Sequence, residues 1–213
     1  MIRAACFSLD GTLVDTRQVM YNAYADTIEL ETGRRPTEGD LDPWITGSPS
    51  RLLRHYGVSG LGHYWHQYDR YLSQVELFYE DTEVLVDTLH EAGIEAGIVT
   101  SLPGHKAHGI LAEVGLDGIF DTVVTWMRAK KPSPRPLLEA FENLDVLPDE
   151  GFYVGDLRVD IQAGHNAGCL TGAAMWGYSA PVDLLDESPD YILWHIADVP
   201  NLCALVNEGL LPV

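Results

Sequence analysis

Lysine is scarce in this chain: Lys106, Lys130 and Lys131 are the only three, and all Lys and Arg together number 13 against 32 Asp and Glu, a net charge of -19. So acidic a surface repels nucleic acid and anionic membranes unless its few cations are gathered in one place. Five of the thirteen are close in sequence or motif, namely Arg128, Lys130, Lys131, Arg135 and Arg158. Cysteine is nearly as rare. Cys6, Cys169 and Cys203 are widely spaced and odd in number, which argues against a disulfide framework or a zinc knuckle and fits a reducing compartment. No apolar run approaches the roughly 18 residues of a membrane span, and the first residues enter a short apolar strand without a basic leader. Internal repeats and low-complexity tracts are absent too. The expectation is a soluble, cytoplasmic protein without nucleic-acid or membrane partners.

What is present is ample core material. At 213 residues and 46% hydrophobic, the chain suits one domain with a modest insertion. Short apolar runs recur as "AACFSL", "IEAGIVT", "TVVTW", "GFYVG" and "LTGAAMW". Between them lie helical patterns such as "DTEVLVDTLHEAG", apolar at Val84, Leu85 and Leu89 with Gly93 as a stop, and "PLLEAFENL" led by Pro136. Strands alternating with helices predict an α/β fold, a Rossmann-like and mainly parallel sheet covered on both faces. Residues 16–78 break the rhythm with helical patterns and no convincing strand. They are expected to form a helical cap inserted after the first strand, with residues 1–15 and 79–213 as the core. The "HYWHQYDRY" stretch, with His63, Tyr64, Trp65, His66 and Tyr68, reads as an amphipathic cap helix rather than a metal cage.

In open α/β sheets ligands collect at the carboxyl ends of the strands. The residues just beyond the apolar runs are Ser8 and Asp10, Thr100 and Ser101, Lys130 and Lys131, and Asp156 and Asp160. If these ends converge, carboxylates about 5 Å apart repel by roughly 3 kcal/mol per pair at an effective dielectric near 20, a cost that a divalent cation relieves. Oxygen ligands without His or Cys suit magnesium better than zinc. A lysine and a hydroxyl at the same rim, beside backbone N–H groups of "SLPG", would hold phosphate oxygens, and metal with phosphate means phosphoryl chemistry.

The stretches "FSLDGTLVDT", "GIVTSLP", "KKPSPRP" and "YVGDLRVDIQAGHNAG", with "MWGY" as a flanking echo, occur in the order of the haloacid dehalogenase-like superfamily. The chain resembles its phosphoglycolate phosphatase and beta-phosphoglucomutase branch over nearly its whole length. The resemblance implies that Asp10 is a general acid/base, Thr100 with Ser101 binds phosphate, and Lys131 stabilises charge. It also implies that Asp156 binds magnesium, Asp160 directly or through water, and that the Asp10 backbone carbonyl contributes. Gly47, Ser48 and Arg51, in "TGSPSRLL", fall where such proteins place a substrate-specificity loop. The family's first motif reads aspartate, any residue, aspartate, Gly, Thr, and its first aspartate attacks phosphorus; here that position is Ser8. Two readings follow. One is a phosphatase-type hydrolase for a small phosphorylated metabolite, with weakened or altered catalysis and weakly bound magnesium. The other is a non-catalytic relative that binds a phosphorylated ligand or a protein partner. Plainer roles stand beside these: Asp10 as a turn former, Thr100 or Asp156 as a helix cap, Asp160 as a first-turn acid, Lys131 and Arg51 as solvated side chains, Cys6 and Cys169 as core.

Overall fold

Strands buried on both faces need apolar side chains at every position, and that is how "AACF" behaves: Ala4, Ala5, Cys6 and Phe7 are all fully buried. The computed structural model describes residues 1–125 and 130–212. Along the chain the elements are β1 (Ala4–Phe7), β2 (Val14–Asp15), α1 (Arg17–Thr32), α2 (Glu38–Leu41), α3 (Pro49–His55), α4 (Gly62–Arg70) and β3 (Glu76–Leu77). There follow α5 (Thr82–Glu91), β4 (Glu95–Val99), α6 (Gly104–Glu113), β5 (Thr122–Val124), α7 (Arg135–Asn143) and β6 (Gly151–Gly155). The chain closes with α8 (Arg158–Ala167), β7 (Leu170–Ala174), α9 (Pro181–Leu185), β8 (Tyr191–Leu193) and α10 (Asp198–Asn207).

Six of these strands form one sheet in the order β5-β4-β1-β6-β7-β8. Every pairing in it is parallel, with Phe7 level with Ile98 on one side and with Val154 on the other. The fold is therefore the α/β, Rossmann-like architecture that the alternation of strands and helices predicts. The first strand lies in the middle, so residues following β1, β4 and β6 emerge side by side. Among the described residues, no helix is long and apolar enough to cross a membrane. The three thiols are buried, and burial pushes each of them up, which leaves them inert as nucleophiles.

The chain divides into two compact units, Met1–Val14 with Leu77–Val213, and Asp15–Glu76. In the second, α1 turns Tyr24 inward to stack on Tyr64 of α4 at 4.4 Å between ring centroids. Gly33, at φ 71°, ends α1 by returning its N–H to Glu29 O. Tyr64 and Tyr68 are buried, and His63 is exposed and paired with Glu31. The histidines of "HYWHQYDRY" thus sit on an amphipathic helix, as expected.

Three details differ from the sequence reading. Val84 is exposed at 61%, because α5 buries Leu85, Val86 and Leu89, and Val84 lies one residue, about 100° of helix, off that stripe. The strand β8 is not signalled by a continuous apolar run; it is an edge strand with Ile192 turned outward. The short strand β3 lies inside the stretch read as strandless. Of the run "TVVTW", Thr122–Val124 is strand and Trp126 lies outside the described residues.

In the first unit α7 covers the sheet through Leu137, Ala140 and Phe141. A methyl group at Gly151 would come 2.3 Å from Phe141 Cζ, so the ring lies directly on the start of β6. We expect Phe141→Ala to destabilise the protein by about 3–5 kcal/mol, the range for emptying a buried aromatic site, measured by urea denaturation. A loss below about 1 kcal/mol would mean that this contact is not what docks α7.

Candidate functional site

The chain turns sharply after β1. Leu9 O accepts the N–H groups of Thr12, Leu13 and Val14, and Gly11 N donates to Val14 O at 2.9 Å. Gly11 sits at φ 80°, where a side chain is strained, and a Cβ there would fall 2.1 Å from Asp156 Oδ2. Glycine in "DGT" is therefore a requirement of both the turn and its neighbour. The same carboxylate is covered from the other side by Gly177, whose Cβ would lie 2.2 Å from Asp156 Cβ.

Asp156 follows β6 and is fully buried. Its Oδ1 accepts from Thr12 Oγ1 at 2.9 Å and its Oδ2 from the Tyr178 N–H at 3.0 Å. It does not cap α8; Leu157 stands at the N-cap. Asp160, in the first turn of α8 and also fully buried, accepts from Leu157 N at Oδ2 (3.0 Å). Its Oδ1 accepts from Tyr153 OH (3.1 Å) and from Lys131 Nζ (2.5 Å). Gly155 makes room for it, since a Cβ there would meet Asp160 Cβ at 2.3 Å.

Lys131 is the hub. Its side chain is 6% exposed, and besides Asp160 its ammonium donates to Tyr153 OH at 2.9 Å, to Ser8 Oγ at 3.0 Å and, more distantly, to Val99 O at 3.4 Å. An ammonium has three protons, and the three nearer acceptors, Asp160, Tyr153 and Ser8, use them. Tyr153 OH, held protonated by burial and by the Asp160 charge, has one proton to share between Asp160 Oδ1 at 3.1 Å and Val99 O at 3.2 Å. The structure thus brings Ser8, Lys131 and Asp160 into one network. Thr100, one residue beyond β4, is nearly buried and accepts from Leu102 N at 3.2 Å through Oγ1. Ser101 is exposed, and Lys130 is exposed beside Lys131. Asp10 is half-buried at the turn, bridging to Val14.

Of the five grouped cations, Arg158 is tied to acids: Nε donates to Glu187 Oε1 at 2.8 Å, and Asp183 lies 3.6 Å away. Arg135 is exposed, and Arg128 lies outside the described residues. In the Asp15–Glu76 unit, Gly47, Ser48 and Arg51 line a cavity of about 290 Å³ with Pro43, Trp44 and Thr46. The Arg51 guanidinium lies over the Trp44 ring at 5.6 Å, and Ser48 Oγ shares a hydrogen bond of 2.9 Å with Ser50.

Four contributors escaped the sequence reading: Thr12, Tyr153, Gly177 and the Tyr178 N–H. Trp176 supports them by donating from Nε1 to Thr12 O at 2.9 Å. The "MWGY" stretch was the one hint. A backbone N–H carries no residue signature, and Tyr153 reads as an ordinary strand aromatic.

For a hard cation the donors fit in part. Each Asp156 oxygen accepts one hydrogen bond and keeps a second lone pair. Both Asp160 oxygens are engaged by protein donors. Among the described residues, the one group of three or more His, Cys, Asp or Glu side chains with mutually close ligand atoms is His90, Glu95 and Asp121, not a set of site carboxylates.

Asp156 has a pH consequence. Burial first, and the Asp160 charge second, push its carboxyl up to about 7, against the Tyr178 and Thr12 hydrogen bonds and the charge of Lys131. Between the usual carboxylate value near 4 and that raised value, the folded chain keeps a proton that the unfolded chain has released. This contribution to stability is therefore whole below about pH 4 and lost as pH rises through about 7, a change of up to about 4 kcal/mol. We expect Asp156→Asn to flatten this slope in urea denaturation at pH 5 and pH 8 with a chelator present. A gap between variant and wild type that stays constant with pH would contradict it.

The haloacid dehalogenase-like hydrolase family model matches residues 5–174, from β1 through β7. Pyrophosphatase PpaX of Bacillus velezensis is 30% identical, over 94% of this chain and 96% of that protein. Among solved structures, a haloacid dehalogenase-like family hydrolase from Streptococcus pneumoniae superposes with a TM-score of 0.81 at 22% identity, covering 94% of this chain and 98% of that one. A protein described as a predicted phosphoglycolate phosphatase, from Haemophilus somnus, gives 0.80 at 22% identity, over 94% and 97% of the two chains. With its strand order, its site at the carboxyl ends of β1, β4 and β6, and relatives named as phosphatases and pyrophosphatases, this chain belongs to the haloacid dehalogenase-like hydrolase family.

Proposed function

We propose that the protein is a phosphatase-type hydrolase of a small phosphorylated metabolite whose turnover is weakened because Ser8 occupies the position of the attacking residue. The observation that carries this reading is the hydrogen bond from Lys131 Nζ to Ser8 Oγ at 3.0 Å, made while the same ammonium is paired with Asp160 at 2.5 Å. Lys131 Nζ donates to Ser8 Oγ, so it supports negative charge there and is not placed as a base for the Ser8 proton. A serine without a base is a poor nucleophile. Removing a nucleophile lowers rates by on the order of 10⁶, about 8 kcal/mol.

In this reading Asp10 serves as acid/base and activates water, and Thr100 with Ser101 contacts phosphate oxygens. Asp156 and the Asp10 carbonyl would hold magnesium, with Asp160 acting through water. The ion would supply charge neutralisation at the phosphoryl oxygens. The acyl-type phosphoenzyme that an aspartate forms is not available to Ser8. Gly47, Ser48 and Arg51 are proposed as the loop that reads the rest of the substrate. A second reading, binding of a phosphorylated ligand without turnover, is favoured by the same Lys131 geometry, since the ammonium donates to Ser8 Oγ and takes no proton from it.

The decisive measurement is turnover of p-nitrophenyl phosphate, phosphoglycolate and pyrophosphate by wild type and Ser8→Asp, with and without magnesium. Ser8→Asp is expected to gain at least about 10²-fold in kcat with magnesium; no gain would sink the idea of an otherwise intact site. Brisk wild-type turnover would remove the attenuated reading. Calorimetry should give a magnesium Kd weaker for wild type than for Ser8→Asp, and micromolar wild-type affinity would contradict the reduced ligand set.

A further inference from the structure

We propose that His90, Glu95 and Asp121 form a site for a divalent transition-metal ion such as zinc, at the opposite ends of the strands from Ser8 and Thr100. The inference does not rest on the proposed function. Glu95 is the first residue of β4 and Thr100 lies just beyond its last, so the two are roughly 16 Å apart at about 3.3 Å per residue.

Three elements supply the ligands. His90 stands in the last turn of α5, Glu95 opens β4, and Asp121 immediately precedes β5. One ligand atom from each lies within 4.8 Å of the other two, and all three residues are exposed, so an ion can enter from solvent. Asp121 is anchored twice to one residue of β4: the Ala96 N–H donates to its Oδ2 at 2.8 Å, and its own N–H donates to Ala96 O at 2.9 Å. The backbone of Glu95 is fixed next door, its N–H donating to Arg3 O at 2.9 Å. Between α5 and β4 the chain turns at Gly93, φ 72°, which returns its N–H to His90 O at 2.9 Å. That turn lets His90 and Glu95 meet at one carboxylate.

The chemistry selects the ion. His90 Nε2 lies 2.8 Å from Asp121 Oδ2, so a proton joins an imidazole nitrogen to a carboxylate oxygen. Both groups ligate a metal once that proton has left for solvent, with the ring proton then on Nδ1. Asp121 can keep Oδ2 on the Ala96 N–H and still offer Oδ1. One imidazole nitrogen with two carboxylates suits zinc or cobalt better than magnesium or calcium, which take oxygen ligands alone. Ligand atoms about 2.0–2.1 Å from a tetrahedral zinc are about 3.4 Å apart, so these side chains need close by little more than an ångström, which an exposed glutamate reaches by rotation. Three protein ligands leave a fourth position for water. The two carboxylates balance the ion's charge, and the ion ties the end of α5 to the starts of β4 and β5.

The test is titration of cobalt(II) into the full chain, followed by visible absorption, after stripping with EDTA and exchange into excess magnesium to fill sites made of oxygen alone. Wild type should take up one cobalt per chain with the intense bands of a four- or five-coordinate ion, and zinc should displace it. His90→Ala, Glu95→Gln and Asp121→Asn should each weaken uptake at least about tenfold. Asp121→Asn keeps an oxygen to accept from the Ala96 N–H, so with Glu95→Gln it carries the comparison if His90→Ala fails to fold. His63→Ala, which alters an exposed histidine paired with Glu31, should change nothing. Uptake unchanged in His90→Ala, or lost equally in His63→Ala, overturns the site. Weakening in His90→Ala with Glu95→Gln and Asp121→Asn unchanged overturns the three-ligand set. No cobalt uptake by wild type in magnesium overturns the inference outright, and leaves the proposed hydrolase function to the separate Ser8→Asp comparison.

Discussion

The ion pair between Lys131 and Asp160 holds the site together. Its partners are 6% and 0% exposed, so each charge is tolerable only because the other is there. The pair is completed by neutral groups: Tyr153 OH bridges towards Val99 O, and the Leu157 N–H takes the second Asp160 oxygen. Through these contacts the loop bearing Lys131, the first turn of α8 and the strands β4 and β6 fix one another. Ser8, at the end of the central strand, receives the one remaining Lys131 proton. The orientation of that serine is thus a consequence of a charge balance made elsewhere.

The second constraint is the absence of side chains. Gly11, Gly177 and Gly155 each occupy a position where a Cβ would lie within about 2.5 Å of an Asp156 or Asp160 atom. They let backbone come close enough to enclose the carboxylates completely. Enclosure raises Asp156 towards neutrality, and the Thr12 hydroxyl and Tyr178 N–H return part of what desolvation removes. The glycine positions and the unusual carboxyl are one feature viewed from two sides. They also separate the roles of the two acids, since Asp160 is bound to a cation of the protein itself and Asp156 is not.

How far the sequence revealed this varied with the kind of information involved. Strands buried on both faces announce themselves as unbroken apolar runs, so β1, β4, β6 and β7 were legible; β8, an edge strand with Ile192 outward, was not. Lys131, Asp156, Asp160 and Thr100 were legible because charged and hydroxyl side chains at strand ends are few. Thr12 and Tyr178 were not, because one looks like a turn residue and the other acts through its backbone. Arg158 counts among the grouped cations in the sequence, but Glu187 captures its guanidinium. At Ser8 the sequence showed what kind of residue was missing. Its hydrogen-bonding sense came only from the position of Lys131.

A net charge of -19 bears on a small anionic ligand less than it first suggests. At physiological ionic strength the Debye length is about 8 Å, so exposed acids at greater distance chiefly slow the approach of an anion and do so less as salt rises. Affinity is decided within the nearly buried site, where screening is weak and few charges count. There Asp160 is neutralised by Lys131, and burial draws Asp156 towards its neutral form. A hydroxyl at residue 8 adds no further charge. An acidic protein can therefore carry little net charge at these strand ends, while its surface disfavours a polyanion too large to leave it behind.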